Sequence, residues 1–241
     1  MNQHKFAFSV AWIAVLLVAT PAMGQLLNHP VRALPAGSGD GGTFAGAEFG
    51  RGLNSASRKL NSISGGLGSA REKVSFMGMG GLVVDNTDYD TDEVTLGFSM
   101  AMHLNSGSDR SVGVSLQSGV GWVSKDSGTD SPQKILNLPI GVAISTVPSD
   151  SGPSVRAWVM PRLNVVRSSD AERAIMTGGF LAIPGGTEAD IGASAGVEFT
   201  GENGAGMHFA IDWVKGSRHY VNGGSGSPFG LSVGMHYMVS N

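Results

Sequence analysis

Apolar and non-apolar residues alternate with a period of two through most of the chain beyond residue 43. The clearest example is the segment 94–104. Its apolar set is Val94, Leu96, Phe98, Met100, Met102 and Leu104, separated by Thr95, Gly97, Ser99, Ala101 and His103. Because successive side chains of a β-strand point to opposite faces, this pattern predicts a strand with one apolar face and one small or polar face. The segment also has the length of a tilted strand that crosses a bilayer, which takes about 9–11 residues.

Ten segments carry this pattern, eight of them clearly and the first two more weakly. They are 43–53, 61–68, 73–84, 94–104, 112–122, 134–146, 155–165, 190–199, 207–214 and 229–239. After the N-terminal region, no segment has the long unbroken apolar run that a transmembrane helix requires, so no such helix is predicted there.

The connections between these segments alternate in length. The long ones are 54–60, 85–92, 125–133, 168–188 and 216–228, and the short ones are 69–72, 105–110, 148–153 and 201–205. An up-and-down barrel with long loops on one side of a membrane and short turns on the other has this rhythm. The predicted fold is therefore all-β, an up-and-down antiparallel transmembrane β-barrel of ten strands, with eight strands as the alternative.

Residues 1–24 have the three parts of a secretory signal peptide. Lys5 gives a cationic start, residues 6–19 form an apolar run broken only by Ser9, and residues 20–24 supply a helix breaker and small side chains. The apolar run is shorter than the ~20 residues that a membrane-spanning helix needs. We therefore expect export with cleavage after residue 24. Residues 25–42 contain Pro and Gly without periodicity, which predicts a flexible segment before a barrel domain over 43–241.

Composition excludes several functional classes. The chain has 241 residues with Gly 37, Cys 0, 15% charged residues and a net charge of −3. Without cysteine, neither a disulfide framework nor a cysteine-ligated metal site can form. The near-neutral charge disfavours a nucleic-acid partner. Because no zinc-type histidine spacing, phosphate loop or dinucleotide fingerprint is present, we expect no metal and no cofactor.

With its signal peptide and its alternating segments over 43–241, the chain resembles small bacterial outer-membrane β-barrel proteins. The resemblance implies a place in the outer membrane of a Gram-negative cell envelope. It also implies contact with outer-membrane lipid and lipopolysaccharide, and assembly by the barrel-assembly machinery. A barrel of eight strands is just filled by its side chains, and ten strands leave little more room. We therefore expect a structural or narrow-pore, porin-like component and not an enzyme.

The non-apolar faces of the last four strands carry charged residues that are predicted to line the lumen. The charged and ionisable residues on these faces are Arg156, Arg162, Glu198, His208, Asp212 and His236. Buried charges must be paired, because burying an unpaired charge is costly. The network either fills the lumen with ion pairs or forms a selectivity or pH-sensitive constriction, since histidine titrates near neutral pH.

The turns predict which of these residues face one another. If turn 201–205 is symmetric, Glu198 faces His208, and Ser194 likewise faces Asp212. If loop 216–228 is also symmetric, His208 faces His236. We therefore predict one polar layer of Glu198, His208 and His236, and a second layer that contains Arg162 and Asp212.

Two other functional hypotheses stay open. The first is a barrel enzyme that acts on lipid or peptide at the outer rim. Its candidates near the long-loop end are joined by no motif and are Asp170, His219 and Tyr220. Residues 192–196 match G-x-S-x-G around Ser194, but they lie in an alternating strand without the strand-to-helix turn that this motif requires. A triad of Ser194, His208 and Asp212 is the related candidate. The second hypothesis is a soluble periplasmic β-barrel that binds a ligand, and it requires the apolar faces to turn inward.

Two long loops are candidates for surface contacts. Loop 168–188 contains Ile175, Phe180 and Leu181, and exposed apolar residues there would indicate a surface partner or a lid over the lumen. The acidic loop at 85–93 lacks the glycine and glutamate spacing of a helix–loop–helix calcium site. We therefore expect a solvated loop, with divalent ions that bridge lipopolysaccharide phosphates as the alternative.

Overall fold

A computed structural model of the chain describes residues 32–35, 42–54, 61–84, 93–105, 111–125, 133–147, 153–168, 186–215 and 227–240. These residues contain ten β-strands in chain order. They are β1 Gly42–Gly52, β2 Asn61–Ala70, β3 Val74–Val84, β4 Glu93–His103, β5 Val112–Lys125, β6 Gln133–Thr146, β7 Ser154–Ser168, β8 Gly186–Thr200, β9 Ala205–Val214 and β10 Phe229–Ser240. The predicted signal peptide lies outside the described residues.

Each strand pairs with its sequence neighbours in an antiparallel ladder, and β1 pairs with β10 to close the barrel. The closed up-and-down barrel of ten strands confirms the predicted fold, including the two weaker segments at its start. Strands β7 and β8 are longer than predicted, because their ladder continues to the pair Ser168 and Gly186. Within the described part of the chain, no helix has the length and apolar character needed to cross a membrane.

The two faces of each strand differ in exposure in the predicted sense. Phe98 is 38% exposed, whereas its neighbour Ser99 is 7% exposed. On β10, Met235 is 67% exposed and its neighbour His236 only 4%. The apolar faces therefore point away from the barrel axis, and the small or polar faces point into the lumen.

The tight turn after β8 fixes one register of the barrel. Gly204 has a φ of 80°, a left-handed conformation that favours glycine. Its N–H donates to the carbonyl of Gly201 at 2.9 Å, and its own carbonyl accepts from Met238 N–H at 2.9 Å. The resulting β8–β9 ladder pairs Glu198 with His208, as the symmetric turn predicts.

The core of the protein lies inside the barrel. Val123, Ile135 and Val166 form an apolar cluster where β5, β6 and β7 approach the long-loop end. Two further apolar clusters lie in the lumen, and each includes a residue that belongs to no strand. Those two residues, Ala33 and Leu34, come from the N-terminal segment.

Candidate functional site in the barrel lumen

Four residues that precede the first strand occupy the lumen. They are Arg32, Ala33, Leu34 and Pro35, here called the lumen segment, and all four are buried. Pro35 lies beside Ser75, the second residue of β3, so the segment runs towards the short-turn end where β1 begins. The flexible segment predicted over 25–42 therefore differs from the structure at these four residues, because wall side chains hold them in place.

Side chains of the barrel wall bind the backbone of the lumen segment. The Gln117 amide on β5 donates to the carbonyl of Arg32 at 2.7 Å and accepts from Leu34 N–H at 3.0 Å. Arg156 on β7 donates to the carbonyl of Ala33 at 2.6 Å. Ser75 on β3 donates to the carbonyl of Pro35 at 2.5 Å. Three strands thus recognise the segment through main-chain atoms.

The side chains of the segment are matched to different parts of the wall. Arg32 Nη2 lies 2.8 Å from Glu198 Oε1. Ala33 belongs to a cluster with wall residues of β6, β7 and β9, namely Ala143, Trp158, Met160 and Ala210. Leu34 belongs to a cluster with Phe44, Ala70, Met77 and Ala101 of β1 to β4, against which Met79 and Met238 pack. With Gln117 and Glu198, all ten strands contribute to these contacts and clusters.

Glu198 is the centre of the first ionic layer. Its carboxylate lies 2.8 Å from Arg32 Nη2, 2.7 Å from Arg156 Nη2 and 3.3 Å from His236 Nε2. His236 Nε2 also lies 3.0 Å from the hydroxyl of Thr200. Because Glu198 is 4% exposed, these partners replace the water that the carboxylate loses on burial.

Arg162 is the centre of a second ionic layer. Its Nη1 and Nη2 atoms lie 2.7 and 2.8 Å from the two carboxylate oxygens of Asp212, which is the bidentate geometry of a strong ion pair. Its Nε donates to Asn164 Oδ1 at 2.9 Å. Ser194 accepts from Arg162 and donates to Asp212. The predicted second layer of Arg162 and Asp212 is therefore formed, with Ser194 facing Asp212 in the ladder.

The predicted pairing of His208 with His236 is wrong, because the β9–β10 register is shifted by two residues from the symmetric one. The β9–β10 ladder places His208 opposite Gly234, and His236 opposite Gly206. A Cβ atom at Gly234 would lie 2.7 Å from His208 Nε2, so each histidine ring occupies the space above a glycine. The two rings stack diagonally, with centroids 6.2 Å apart. The length of the loop cannot predict this arrangement, because the arrangement depends on the space that Gly206 and Gly234 leave for the two rings.

The hydrogen-bonding partner of His208 is Glu48 on β1. The His208 Nε2 atom lies 3.1 Å from Glu48 Oε2, although Glu198 is its partner in the β8–β9 ladder. The predicted layer of Glu198, His208 and His236 thus divides between two carboxylates. A cavity beside this pair is lined by Arg32, Glu48 and His208, and by three glycines of β1 and β2, Gly46, Gly65 and Gly66.

The structure places the predicted lumen residues Arg156, Arg162, Glu198, His208, Asp212 and His236 together inside the barrel. Sequence reasoning missed Arg32, Glu48 and Gln117. Glu48 and Gln117 could have been found by strand parity, since they lie on the inward faces of β1 and β5. Arg32 gave no such signal, because it lies outside any alternating segment.

The other candidates have different outcomes. Ser194 lies within β8 with no helix after it, as its alternating pattern predicts. Its hydroxyl contacts Arg162 and Asp212, while His208 contacts Glu48, so the three residues do not form the hydrogen-bonded relay of a serine triad. The loop interiors at 169–185 and 216–226, which contain the rim candidates Asp170, His219 and Tyr220, lie outside the described residues, as do the acidic residues 85–92. Among the described residues, no cluster of three or more His, Asp or Glu side chains is arranged to hold a metal ion.

Comparisons with known proteins give structural neighbours only. No protein-family model and no curated protein matches the chain. One neighbour is a bacterial polysaccharide outer membrane secretin, at 9% identity and a TM-score of 0.44 over 83% of this chain and 66% of that one. The β domain of the Bordetella autotransporter BrkA has 11% identity and a TM-score of 0.44, covering 83% of this chain and 99% of that one. The translocator domain of the autotransporter NalP from Neisseria meningitidis has 12% identity and a TM-score of 0.42, covering 97% and 95%.

Proposed function

We propose that the protein is a structural component of the bacterial outer membrane whose barrel is closed from inside by its own N-terminal segment. In this proposal residues 1–24 direct export and are removed. The mature barrel contacts outer-membrane lipid and lipopolysaccharide after insertion by the assembly machinery. The observation that carries the proposal is the lumen segment, which is held in the lumen through its backbone and its side chains.

The outward faces support a membrane location. Large apolar side chains in the middle of the strands are exposed all round the barrel, for example Phe98, Leu116, Ile140, Val159 and Phe209. Soluble monomers rarely expose contiguous apolar patches larger than a few hundred Å². A soluble ligand binder would require these faces to turn inward, which is opposite to the observed burial.

The contents of the lumen support a closed barrel over an open pore. The Glu198 layer joins β7, β8 and β10 to the lumen segment, and the Arg162 layer joins β7, β8 and β9. Apolar side chains around Ala33 and Leu34 occupy the space beside these layers. Because a barrel of about this size has little spare interior, these contents leave no wide aqueous path.

The first experiment on this proposal is electrophoresis of membrane fractions in detergent, with and without boiling. We expect the chain in the outer-membrane fraction, with a band that changes mobility on heating. Recovery in the soluble fraction without a heat-dependent shift would overturn the membrane location.

The second experiment is conductance of the intact chain in planar lipid bilayers. We expect no steady ion current, because the lumen segment and the two ionic layers close the path. A stable open channel formed by the intact chain would contradict closure and favour the narrow-pore alternative.

A further inference from the structure

The geometry points to a peptide-binding site in the lumen. We propose that the wall recognises an extended peptide with a cationic residue, a small residue, a large aliphatic residue and a proline in succession, and that residues 32–35 are its tethered ligand. This inference rests on the proposed closure of the lumen and adds a ligand class to it.

The wall recognises the peptide backbone independently of its side chains. Gln117 uses both ends of one amide, donating to the carbonyl of Arg32 and accepting from the N–H of Leu34. One side chain can bind the carbonyl of one residue and the N–H of the residue two positions later when the main chain is extended, so Gln117 selects that conformation. Arg156 and Ser75 bind two further carbonyls, those of Ala33 and Pro35. Such contacts can form with any peptide that enters in this direction.

Three pockets add side-chain selectivity. The first presents the Glu198 carboxylate to a guanidinium, and both charges are almost fully removed from water. The second surrounds Ala33 with buried side chains that include Trp158 and Met160, so a larger side chain at this position would have to displace them. The third surrounds Leu34 with apolar side chains that include Phe44 and Met77. A neutral residue in the first pocket would remove one of the two guanidinium groups that contact Glu198, and an acidic residue would bury a second carboxylate beside it.

Proline suits the fourth position of the peptide. Pro35 is buried, and a proline has no backbone N–H that would need a partner there. Its carbonyl accepts from Ser75 Oγ, which also lies 2.9 Å from His103 Nε2. The four positions together define one chemical class of ligand, an extended Arg-small-Leu-Pro peptide.

The tether explains why the site is filled by the chain itself. Only residues 36–41 separate the lumen segment from the first residue of β1. A linker this short gives an effective concentration in roughly the millimolar range, so a free peptide competes poorly with the attached one. A free peptide should bind well only when the tethered residues no longer fit their pockets.

The test uses the full chain with the substitutions R32E and L34E, refolded in detergent and checked for the heat-dependent band shift. The probe is a fluorescent peptide with the sequence of residues 28–38, and its binding is measured by anisotropy. The matched control peptide carries glutamate at the positions of Arg32 and Leu34. We expect saturable binding of the native peptide at least about tenfold tighter than that of the control peptide, because only the native one fills the cationic and aliphatic pockets. The unsubstituted chain should bind the native peptide at least about tenfold more weakly than the substituted chain, because its site is occupied.

A second pair of variants links binding to the wall. Adding Q117A to the substituted chain should weaken peptide binding about tenfold, since two hydrogen bonds to the backbone are lost. Adding L116A should leave binding unchanged, because Leu116 is the neighbouring residue of β5 and points outward. If R32E/L34E does not fold, L34A is the milder receptor and the same wall variants apply.

The outcomes separate this inference from the proposed function. A folded variant that binds both peptides equally, or neither, overturns the peptide site while leaving the closed membrane barrel in place. A soluble protein, or a channel formed by the intact chain, overturns the proposed function whatever the peptides do.

Discussion

Two sides of the barrel wall carry different types of inward side chain. The charged wall consists of the inward side chains of β7 to β9, where Arg156, Arg162, Glu198 and Asp212 form ion pairs. The glycine wall consists of the inward positions of β1 to β3, where glycines and serines surround a few large apolar side chains and Glu48 is the charged residue. A Cβ atom at Gly66, for instance, would lie 2.6 Å from the Met77 side chain.

The difference shows that the barrel uses separate means to fix where the lumen segment binds and to make space for its side chains. On the charged wall, each buried ion needs its partner, so a small set of pairs fixes where the lumen segment binds. On the glycine wall, missing side chains make room for Phe44, Met77 and Leu34, which contact one another without directional bonds. The segment uses both walls, with Arg32 on the first and Leu34 on the second.

The largest expected effect comes from the charged wall. Replacing Glu198 by glutamine should lower the free energy of unfolding by about 3–5 kcal/mol, because Arg32 and Arg156 lose their buried counter-charge. The measurement is the urea concentration at which the heat-dependent folded band disappears. Glu202→Gln is the matched control, since Glu202 is exposed in the turn after β8. Equal urea midpoints for the two variants would show that the ion pairs of the charged wall do not stabilise the barrel.

The next effect concerns the outside of the barrel, where the two walls should behave alike. Phe98→Arg, on β4 beside the glycine wall, and Phe209→Arg, on β9 of the charged wall, each place a charge in the middle of an outward face. Each substitution should lower the stability of the folded barrel in a bilayer by about 2–4 kcal/mol. Leu104→Arg, just past the end of β4, should lower it by only about 0–1 kcal/mol. Assembly in liposomes, followed by the folded band, gives the measurement. Normal assembly of both central variants would contradict the assignment of lipid-facing positions.

The smallest effect distinguishes the glycine wall from the outward face of the same strands. Gly66→Ala should cost about 1–3 kcal/mol through overpacking, because its new methyl group would meet Met77 and the carbonyl of Gly78. Gly78→Ala should change stability by no more than about 0.5 kcal/mol, since no atom lies within 4 Å of its added Cβ. Urea midpoints of the two variants test this difference. If they shift equally, the inward glycines do not serve to make room.

The strands and their faces could be predicted because alternation is a local property. Val94 to Leu104 and the other segments show which side chains point inward without any knowledge of their neighbours. The β8–β9 register also followed, since the turn after β8 is short and its Gly204 leaves one geometry. The prediction of the fold therefore depended only on signals that a single strand or a single turn contains.

The contents of the lumen could be predicted only in part. Arg162 and Asp212 were found because strand parity and one correct register place them together. Glu48, the partner of His208, was missed because it lies on β1 and is distant from His208 in the sequence. The pairing of His208 with His236 was wrong because the long loop after β9 does not fix the register between β9 and β10. The lumen segment left no periodic signal, because its four residues face several strands at once and no single surface.

The most direct test of the central claim is the reactivity of a cysteine in the lumen segment. The natural chain contains no cysteine, so Leu34→Cys provides a single thiol at a position that is 3% exposed. Glu202→Cys provides the exposed reference on the turn after β8. The measurement is the rate of labelling of each folded variant by a water-soluble maleimide. If residues 32–35 occupy the lumen, the thiol at position 34 reacts only after unfolding while that at 202 reacts at once; equal rates in the folded barrel would show that the segment lies outside.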